Sequence, residues 1–398
     1  MSAVADALDG DERSALIAWA TLAEGADEIA SWLVDALGAS GALVWLRDAA
    51  ADPVSATIGL APHAQPSTID KAVAATERWL ARMGELDPAR EMRRARAVGA
   101  RVLTRADDEW PRVFDALGAR APYALWLRGG GDLNALLARA VALVGSRAST
   151  GYGEHVAAEI AGGVSDAGWC VISGGAYGID AAAHRAALTG STPTVAVMAG
   201  GVDRLYPAGH ADLLAEVMDR GVVFSEVPVG FAPHRSRFLA RNRLIAAAAA
   251  TCVVEAAARS GALNTVNHAL AFGRPVGAVP GPVTSASSQG CHALIRNGLA
   301  VLVGDARQVL ELAGPIGADP ARDGGGFGDQ NERAAFDAIA VRGSRVEAIA
   351  KGAGLSLGEA LGALAALEIA GLAGSRDGVW RRINAETSEE KKAPNRTK

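Results

Sequence analysis

The run Val141-Ala142-Leu143-Val144-Gly145-Ser146-Arg147, followed by Ala148-Ser149-Thr150-Gly151-Tyr152-Gly153 and then Glu154–Ser165, sets the pattern for the middle of the chain. An apolar run of strand length ends in a Gly-Ser-Arg turn, and a helical segment follows. The unit then recurs. Further strand-length runs stand at Cys170–Ser173, Thr194–Met198, Val222–Ser225, Thr251–Val254, Val276–Val279 and Ala300–Val303. Helical segments lie between them, at Asp180–Leu188, Ala211–Asp219, Asn242–Ala250, Thr265–Phe272 and His292–Arg296. Apolar runs joined by helical crossovers mean strands buried on both faces, hence an α/β fold around a parallel sheet. Right-handed crossovers then place the C-terminal ends of the strands on one edge.

That edge is rich in glycine. The first strand runs into Gly145-Ser146-Arg147, the second into Ser173-Gly174-Gly175, the third into Gly200-Gly201 and the sixth into Pro280-Gly281; Ser225-Glu226 and Glu255 end the fourth and fifth. Glycine there lets a ligand approach the backbone, and the exposed amides can cradle anions. One such turn means little, because strand–helix turns need glycine anyway. A whole edge of them points to a site for a polyanion. The dinucleotide pattern Gly-x-Gly-x-x-Gly and the phosphate loop Gly-x-x-x-x-Gly-Lys-Ser/Thr are both absent.

A second stretch supplies the charge. Pro233–Ile245 reads Pro-His-Arg-Ser-Arg-Phe-Leu-Ala-Arg-Asn-Arg-Leu-Ile, with Arg235, Arg237, Arg241 and Arg243 around Phe238 and no acid. Guanidinium groups grip phosphates bidentately, and a ring among them offers a face for a base. The arginines are expected between a strand and the start of a helix, the place where α/β sheets bind ligands. The alternative is a solvated basic loop, or arginines paired with acids elsewhere.

Composition narrows the choice. At 398 residues two or three domains are expected. With 50% hydrophobic residues the chain can bury a sizeable core, and a net charge of -5 excludes a globally basic coat for nucleic acid. Any nucleic-acid contact must be a focused patch. The three cysteines, Cys170, Cys252 and Cys291, are scattered, without Cys-x-x-Cys spacing, and Cys170 and Cys252 are read as buried thiols of a reduced compartment. The seven histidines show no metal-ligand spacing, so no metal or cofactor is expected. Without a signal peptide or membrane span, the expected location is cytoplasmic.

The flanks differ from the middle. Residues 1–98 are read as a helical N-terminal domain, with apolar periodicity over Asp11–Leu37, Thr68–Met83 and Pro88–Val98. Arg93, Arg94, Arg96 and Arg101 gather near its end, and a solvated helix face is the simpler account. Residues 99–312 form the sheet domain, 313–330 a linker, 331–383 a second compact unit, and 384–398 a disordered tail. Three helices and a hairpin over Gly371–Arg382 suggest a winged helix. Its second helix of the pair carries Glu359 and Glu368 and no base, which favours protein contact over duplex reading.

Several stretches together resemble a known family. They are Val144-Gly145-Ser146-Arg147 with Tyr152-Gly153; Ser173-Gly174 with Ala176 and Gly178-Ile179-Asp180; Gly201 with Asp203 and Tyr206-Pro207; and Ser225-Glu226 with Pro228 and Gly230. Phe238 with Arg241-Asn242-Arg243, Val254-Glu255-Ala256 with Ser260-Gly261 and Thr265, Gly273-Arg274, Val279-Pro280-Gly281, and Gly290-Cys291 with Leu294-Ile295 follow in order. The pattern resembles the DNA-processing protein A (DprA, or Smf) family. The resemblance implies an extended Rossmann-like, doubly wound parallel sheet with a helical N-terminal domain and a C-terminal winged helix. It implies a non-enzymatic binder of single-stranded DNA that protects incoming DNA in natural transformation and loads the RecA recombinase, usually as a homodimer. Single-strand-binding protein is a further expected partner.

By the same resemblance Arg147 holds phosphate at the end of the first strand. Phe238, Arg241 and Arg243 line the strand-binding pocket, and Asn242 fixes the loop. With Gly145, Ser146, Ser173, Gly174, Arg235 and Arg237 these make the expected DNA-binding set. Gly175, Gly200 and the pair Leu239-Ala240 depart from the family pattern. The alternative function is a nucleotide-processing enzyme of the phosphoribohydrolase type, with Glu226 and Glu255 as its carboxylates. Its Pro-Gly-Gly-x-Gly-Thr-x-x-Glu signature is only partly matched, by Ser173–Asp180. For Glu255 and Asp203 a structural role, accepting hydrogen bonds from backbone amides, is the preferred expectation.

Overall fold

The computed structural model describes residues 11–84, 86–314, 330–340, 343–376 and 378–383. Contacts divide the chain into two compact units, Met1–Pro320 and Ala321–Lys398. The first opens with six helices, α1 (Glu12–Leu22), α2 (Glu28–Leu37), α3 (Ala39–Ala51), α4 (Pro53–Leu60), α5 (Pro66–Met83) and α6 (Pro88–Ala97). Asp11, Asp27, Asp52 and Asp87 cap four of them by accepting backbone N–H groups. Proline stands in the first turn of α4, α5 and α6, where its missing donor costs nothing.

Trp19 and Trp79 meet edge to face in the helical core, with centroids 5.4 Å apart. Tyr123, from outside the bundle, packs there too. Ile17 of α1 and Ala95 of α6 share a buried cluster with Trp126, Ala196 and Val223 of the sheet. The helices therefore lie in the same compact unit as the sheet.

After α6 come β1 (Arg101–Thr104), β2 (Ala124–Gly129), α7 (Leu133–Ala138), β3 (Ala140–Gly145), α8 (Gly151–Asp166), β4 (Cys170–Ser173) and α9 (Ile179–Thr189). Then follow β5 (Val195–Val197), α10 (Ala211–Arg220), β6 (Val222–Ser225), α11 (Arg235–Ala246), β7 (Ala250–Val254) and α12 (Ala262–Ala271). The unit closes with β8 (Val276–Ala278), α13 (Gln289–Arg296), β9 (Val301–Leu302) and α14 (Ala306–Ala313).

The strands make one sheet in the order β1-β2-β6-β5-β4-β3-β7-β8-β9. From β6 to β9 all neighbours are parallel. β2 runs antiparallel to β6, and β1 antiparallel to β2, so the sheet is mixed at one end. On β3, Val141 and Leu143 face a core with Ile160 and Val164 of α8, whereas Ala142 and Val144 face one with Val266 and Ala269 of α12. Burial on both faces is why these strands read as continuous apolar runs. The chain winds outward from β3 to β6, then crosses to β7 on the other side of β3. The switch point lies at the C-terminal ends of β3 and β7.

One local expectation needs correction. The arginine run is not a loop before a helix at Asn242; it is α11 itself, and Ala250 already belongs to β7. Beyond Pro233 the sequence holds no further Gly or Pro before β7, and Arg, Leu and Ala are strong helix formers, so the helix starts at Arg235.

In the second unit α15 (Gln330–Asp337), α16 (Val346–Ala353) and α17 (Leu357–Ile369) precede an antiparallel pair, β10 (Ala373–Arg376) and β11 (Val379–Arg382). Ser356 and Glu359 form a reciprocal capping box at the start of α17. Most of the expected linker, 315–329, and the expected tail, 384–398, lie outside the described residues.

Candidate nucleic-acid interface

A cavity of about 600 Å³ opens at the switch point. Its floor is the end of β3, Val144 to Arg147, its far wall the segment Ser260-Gly261-Ala262 that enters α12, and its near wall α11. Arg235, Phe238, Asn242 and Ile245 repeat at helical spacing along that near wall. A Cβ on Gly145 would collide with the Val254 carbonyl and with Ile179, so only glycine lets β3 end this close to β7 and α9.

The exposed Arg147 places its guanidinium 5.5 Å from the Phe238 ring centroid, a cation–π pair across the cavity mouth. Tyr206 stands against the other surroundings of that ring, with centroids 5.5 Å apart. Arg147, Phe238, Tyr206 and the exposed Tyr177 also frame a smaller adjoining recess, with Arg241 at its base.

Arg241 is the buried cation of the site, 4% exposed. Its Nη1 donates to the Val197 carbonyl at 2.8 Å, and its Nε is buried without a partner. Burial lowers its pKa to about 10, with Asp180 acting in the opposite sense and Arg147 adding to the fall. The side chain stays cationic at neutral pH. A Cβ on Gly174 would strike this guanidinium, so glycine is what lets it reach the end of β4. Asp180 accepts from the amides of Gly174 (3.1 Å) and Ala176 (3.3 Å). Burial raises the Asp180 pKa, opposed by Arg241 and those two amides. It does not pair with His184, whose Nδ1 meets Thr194 Oγ1 at 2.9 Å. Asn242 donates to Asn264 Oδ1 at 3.1 Å, which ties α11 to α12 across the back of the cavity.

Of the expected residues, Gly145, Ser146, Arg147, Arg235, Phe238, Arg241 and Asn242 come together on the cavity, with Gly174 on its adjoining recess. Three do not. Ser173 is buried and donates to the Leu143 carbonyl at 2.6 Å, because its side chain falls on the inner side of β4. Arg237 points away, with Nε and Nη2 each 3.0 Å from the Glu24 carboxylate of the helical segment. Arg243 is buried: both terminal nitrogens meet Glu226 at 2.6 Å, and its Nε donates to the Arg120 carbonyl at 2.6 Å. Two of the arginines are thus engaged with acids inside the fold.

Tyr206 and Tyr177 escaped the sequence analysis as site residues. Each sits in its own loop, far from the arginine run; the signal was the Tyr206-Pro207 pair just after the glycine end of β5. The acids proposed for the alternative enzyme are already engaged. Glu226 holds Arg243, and Glu255 accepts from Thr150 N (2.9 Å), Thr150 Oγ1 (2.7 Å) and Ser287 Oγ (3.1 Å). Asp203 accepts from Gly230 N at 2.9 Å. Among the described residues no group of three or more His, Cys, Asp or Glu side chains could hold a metal, and no single helix is long and apolar enough to cross a membrane. All three cysteines are free and buried.

The fold and the cavity define a Rossmann-like protein with a cationic, aromatic-lined cleft at the switch point of its sheet. The comparisons are more specific. The sequence model of the family described as DNA recombination-mediator protein A matches residues 101–314. A Mycobacterium tuberculosis (strain H37Rv) protein bearing the DprA name is 50% identical over 304 residues, 72% of this chain and 78% of that protein. The DNA processing protein DprA of Streptococcus pneumoniae (strain R6) is 39% identical over 209 residues, 51% of this chain and 71% of that one. The X-ray structure of DprA from Streptococcus pneumoniae superposes with a TM-score of 0.54 at 33% identity, over 61% of this chain and 84% of that chain. The chain belongs to the DNA recombination-mediator protein A family.

Proposed function

We propose that the cavity between β3, β7 and α11 binds single-stranded DNA, and that the protein acts by binding and not by breaking bonds. The observation that carries this is Arg147 set over the Phe238 ring at the cavity mouth, 5.5 Å away. Arg147 and the buried Arg241 take phosphates, while Phe238 and Tyr206 give a face to any base, so sequence preference is weak. Duplex DNA would have to unstack to reach that ring.

Family membership supports the wider role: a cytoplasmic mediator that shields incoming single strands and hands them to the RecA recombinase in natural transformation. A homodimer and contact with single-strand-binding protein belong to the same proposal. We read the second unit as a winged helix whose α17, acidic at Glu359 and Glu368, serves protein contact. Domain limits of 1–98, 99–312 and 331–383 belong to the same proposal.

Fluorescence anisotropy with single- and double-stranded oligonucleotides at two salt concentrations tests the central claim. The parent should prefer the single strand, and Arg147→Ala should weaken it for every sequence. Equal binding of both forms, or an Arg147→Ala protein indistinguishable from the parent, would remove the cavity from consideration.

A further inference from the structure

The cavity's pairing of ring and guanidinium occurs a second time on the same rim. Phe231 lies in the segment leading into α11, and the Arg237 guanidinium stands 5.2 Å from its centroid. Phe231 lines an open groove of about 370 Å³ together with Val229, Arg94 of α6 and Val98 just after that helix. The loops that follow β5 and β6 link the two ring sites. Gly201 N–H donates to the Phe231 carbonyl at 2.9 Å, and Gly200 packs against Pro233. Tyr206, from the same loop, reaches Phe238.

Arg94 is the α6 arginine that lines the groove, and Arg93 and Arg96 stand exposed elsewhere on the same helix. The side chains of Arg93 and Arg94 are 67% and 49% exposed, and Arg96 is exposed as well. Two acids stand beside them. Asp87 is 3.6 Å from Arg93. Glu91 is 3.0 Å from Arg94, but its carboxylate is 3% exposed and turned into the protein. Among the described residues no acid stands within ion-pair range of Arg96. A merely solvated helix face would not need an apolar floor of Val98, Val229 and Phe231 beside it.

We propose that a single strand held in the cavity continues to this groove, and that Phe231 with Arg94, together with Arg93 and Arg96 further round α6, is its second station. A base packs into the groove against Phe231, and the α6 arginines take the flanking phosphates. This rests on the reading that the cavity binds single-stranded DNA.

The test uses the full chain and homothymidine strands of two lengths, about 5 and about 16 nucleotides, near the two ends of the range of known single-strand site sizes. The short strand fills the cavity alone. The combined variant Arg93→Ala, Arg94→Ala, Arg96→Ala should bind the short strand as the parent does. It should bind the long strand about tenfold or more weakly at low salt, with a log–log salt slope shallower by about 2. Phe231→Ala should weaken the long strand alone, on the order of tenfold. Thermal melting of each variant separates these effects from misfolding, and a photo-crosslinking base in the long strand should attach to α6 or to Val229–Phe231. The proposal is overturned if long-strand affinity and slope are unchanged in both variants, or if short and long strands weaken alike. If the parent binds neither strand, the cavity reading itself fails and the second station with it.

Discussion

Two helices of this protein carry arginine runs, and they use them in opposite ways. On α11, Arg241 and Arg243 are buried and Arg237 is tied to Glu24, which leaves Arg235 exposed. On α6, Arg93, Arg94 and Arg96 stay in solvent. The residue type is the same, and so is the secondary structure. The difference lies in what each helix packs against. α11 is wedged between the sheet edge and the helical segment, so its register aims successive guanidiniums at different neighbours. α6 presses Pro88, Glu91 and Ala95 inward and leaves its arginines outside. A run of positive charge therefore says little about binding until its partners are known.

The largest effect should come from the most buried pair. Arg243→Ala leaves the Glu226 carboxylate, whose side chain is 9% exposed, without its bidentate partner. The expected loss is about 3–5 kcal/mol of stability, read from urea unfolding. Because the guanidinium also satisfies Arg120 and Ala240 carbonyls, Arg243→Lys should not restore it. The double variant with Glu226→Ala should cost less than the two single losses added together. An Arg243→Ala protein as stable as the parent would place that residue back among the ligand-facing arginines.

Next in size is the ring. Phe238→Ala should cost about 1–3 kcal/mol of single-strand affinity with little change in salt dependence, because stacking is not ionic. Arg147→Ala should act the other way: a modest loss, uniform across sequences, with the salt slope shallower by about 0.7. Titrating one oligonucleotide at several salt concentrations distinguishes the two. If both variants changed the slope equally, ring and guanidinium would not have the separate roles assigned here.

The smallest effect concerns Glu24, which joins the helical segment to α11. Burial tends to raise its pKa, but hydrogen bonds from Arg237 and Arg82 outweigh this and hold it below the usual carboxylate value. A depressed carboxylate stabilises the fold above its unfolded pKa, near about 4.3, and that stabilisation is lost as pH falls through the lower folded value. The pair is partly exposed, so the gain is small. Glu24→Gln should lower stability slightly at neutral pH and flatten its fall under acid. Parallel acid-unfolding curves for the two proteins would contradict this.

Much of the fold could be read along the chain. The apolar runs from Val141 to Val303 marked the parallel strands, because a strand buried on both faces must be apolar at every position. The glycine ends of β3, β4 and β5 marked the ligand edge for an equally local reason: no side chain fits where Arg241 or Val254 comes so close. The place of the antiparallel β1 and β2 at the β6 end of the sheet was not legible. Nothing in Arg101–Thr104 or Ala124–Gly129 specifies which strand they join. The start of α11 was missed because the charge pattern of Arg235–Arg243 hid its helical spacing.

Read alone, the chain dictates strand and helix order, the glycine-lined edge and the family, since each depends on neighbours in sequence and on short motifs in order. Packing alone decides which guanidiniums face a ligand. Arg147 and Phe238 meet although they come from different crossovers, and Arg243 is withdrawn by a glutamate that ends another strand. Coulomb attraction and desolvation act through space, so the fate of a charge depends on contacts that only the folded chain creates.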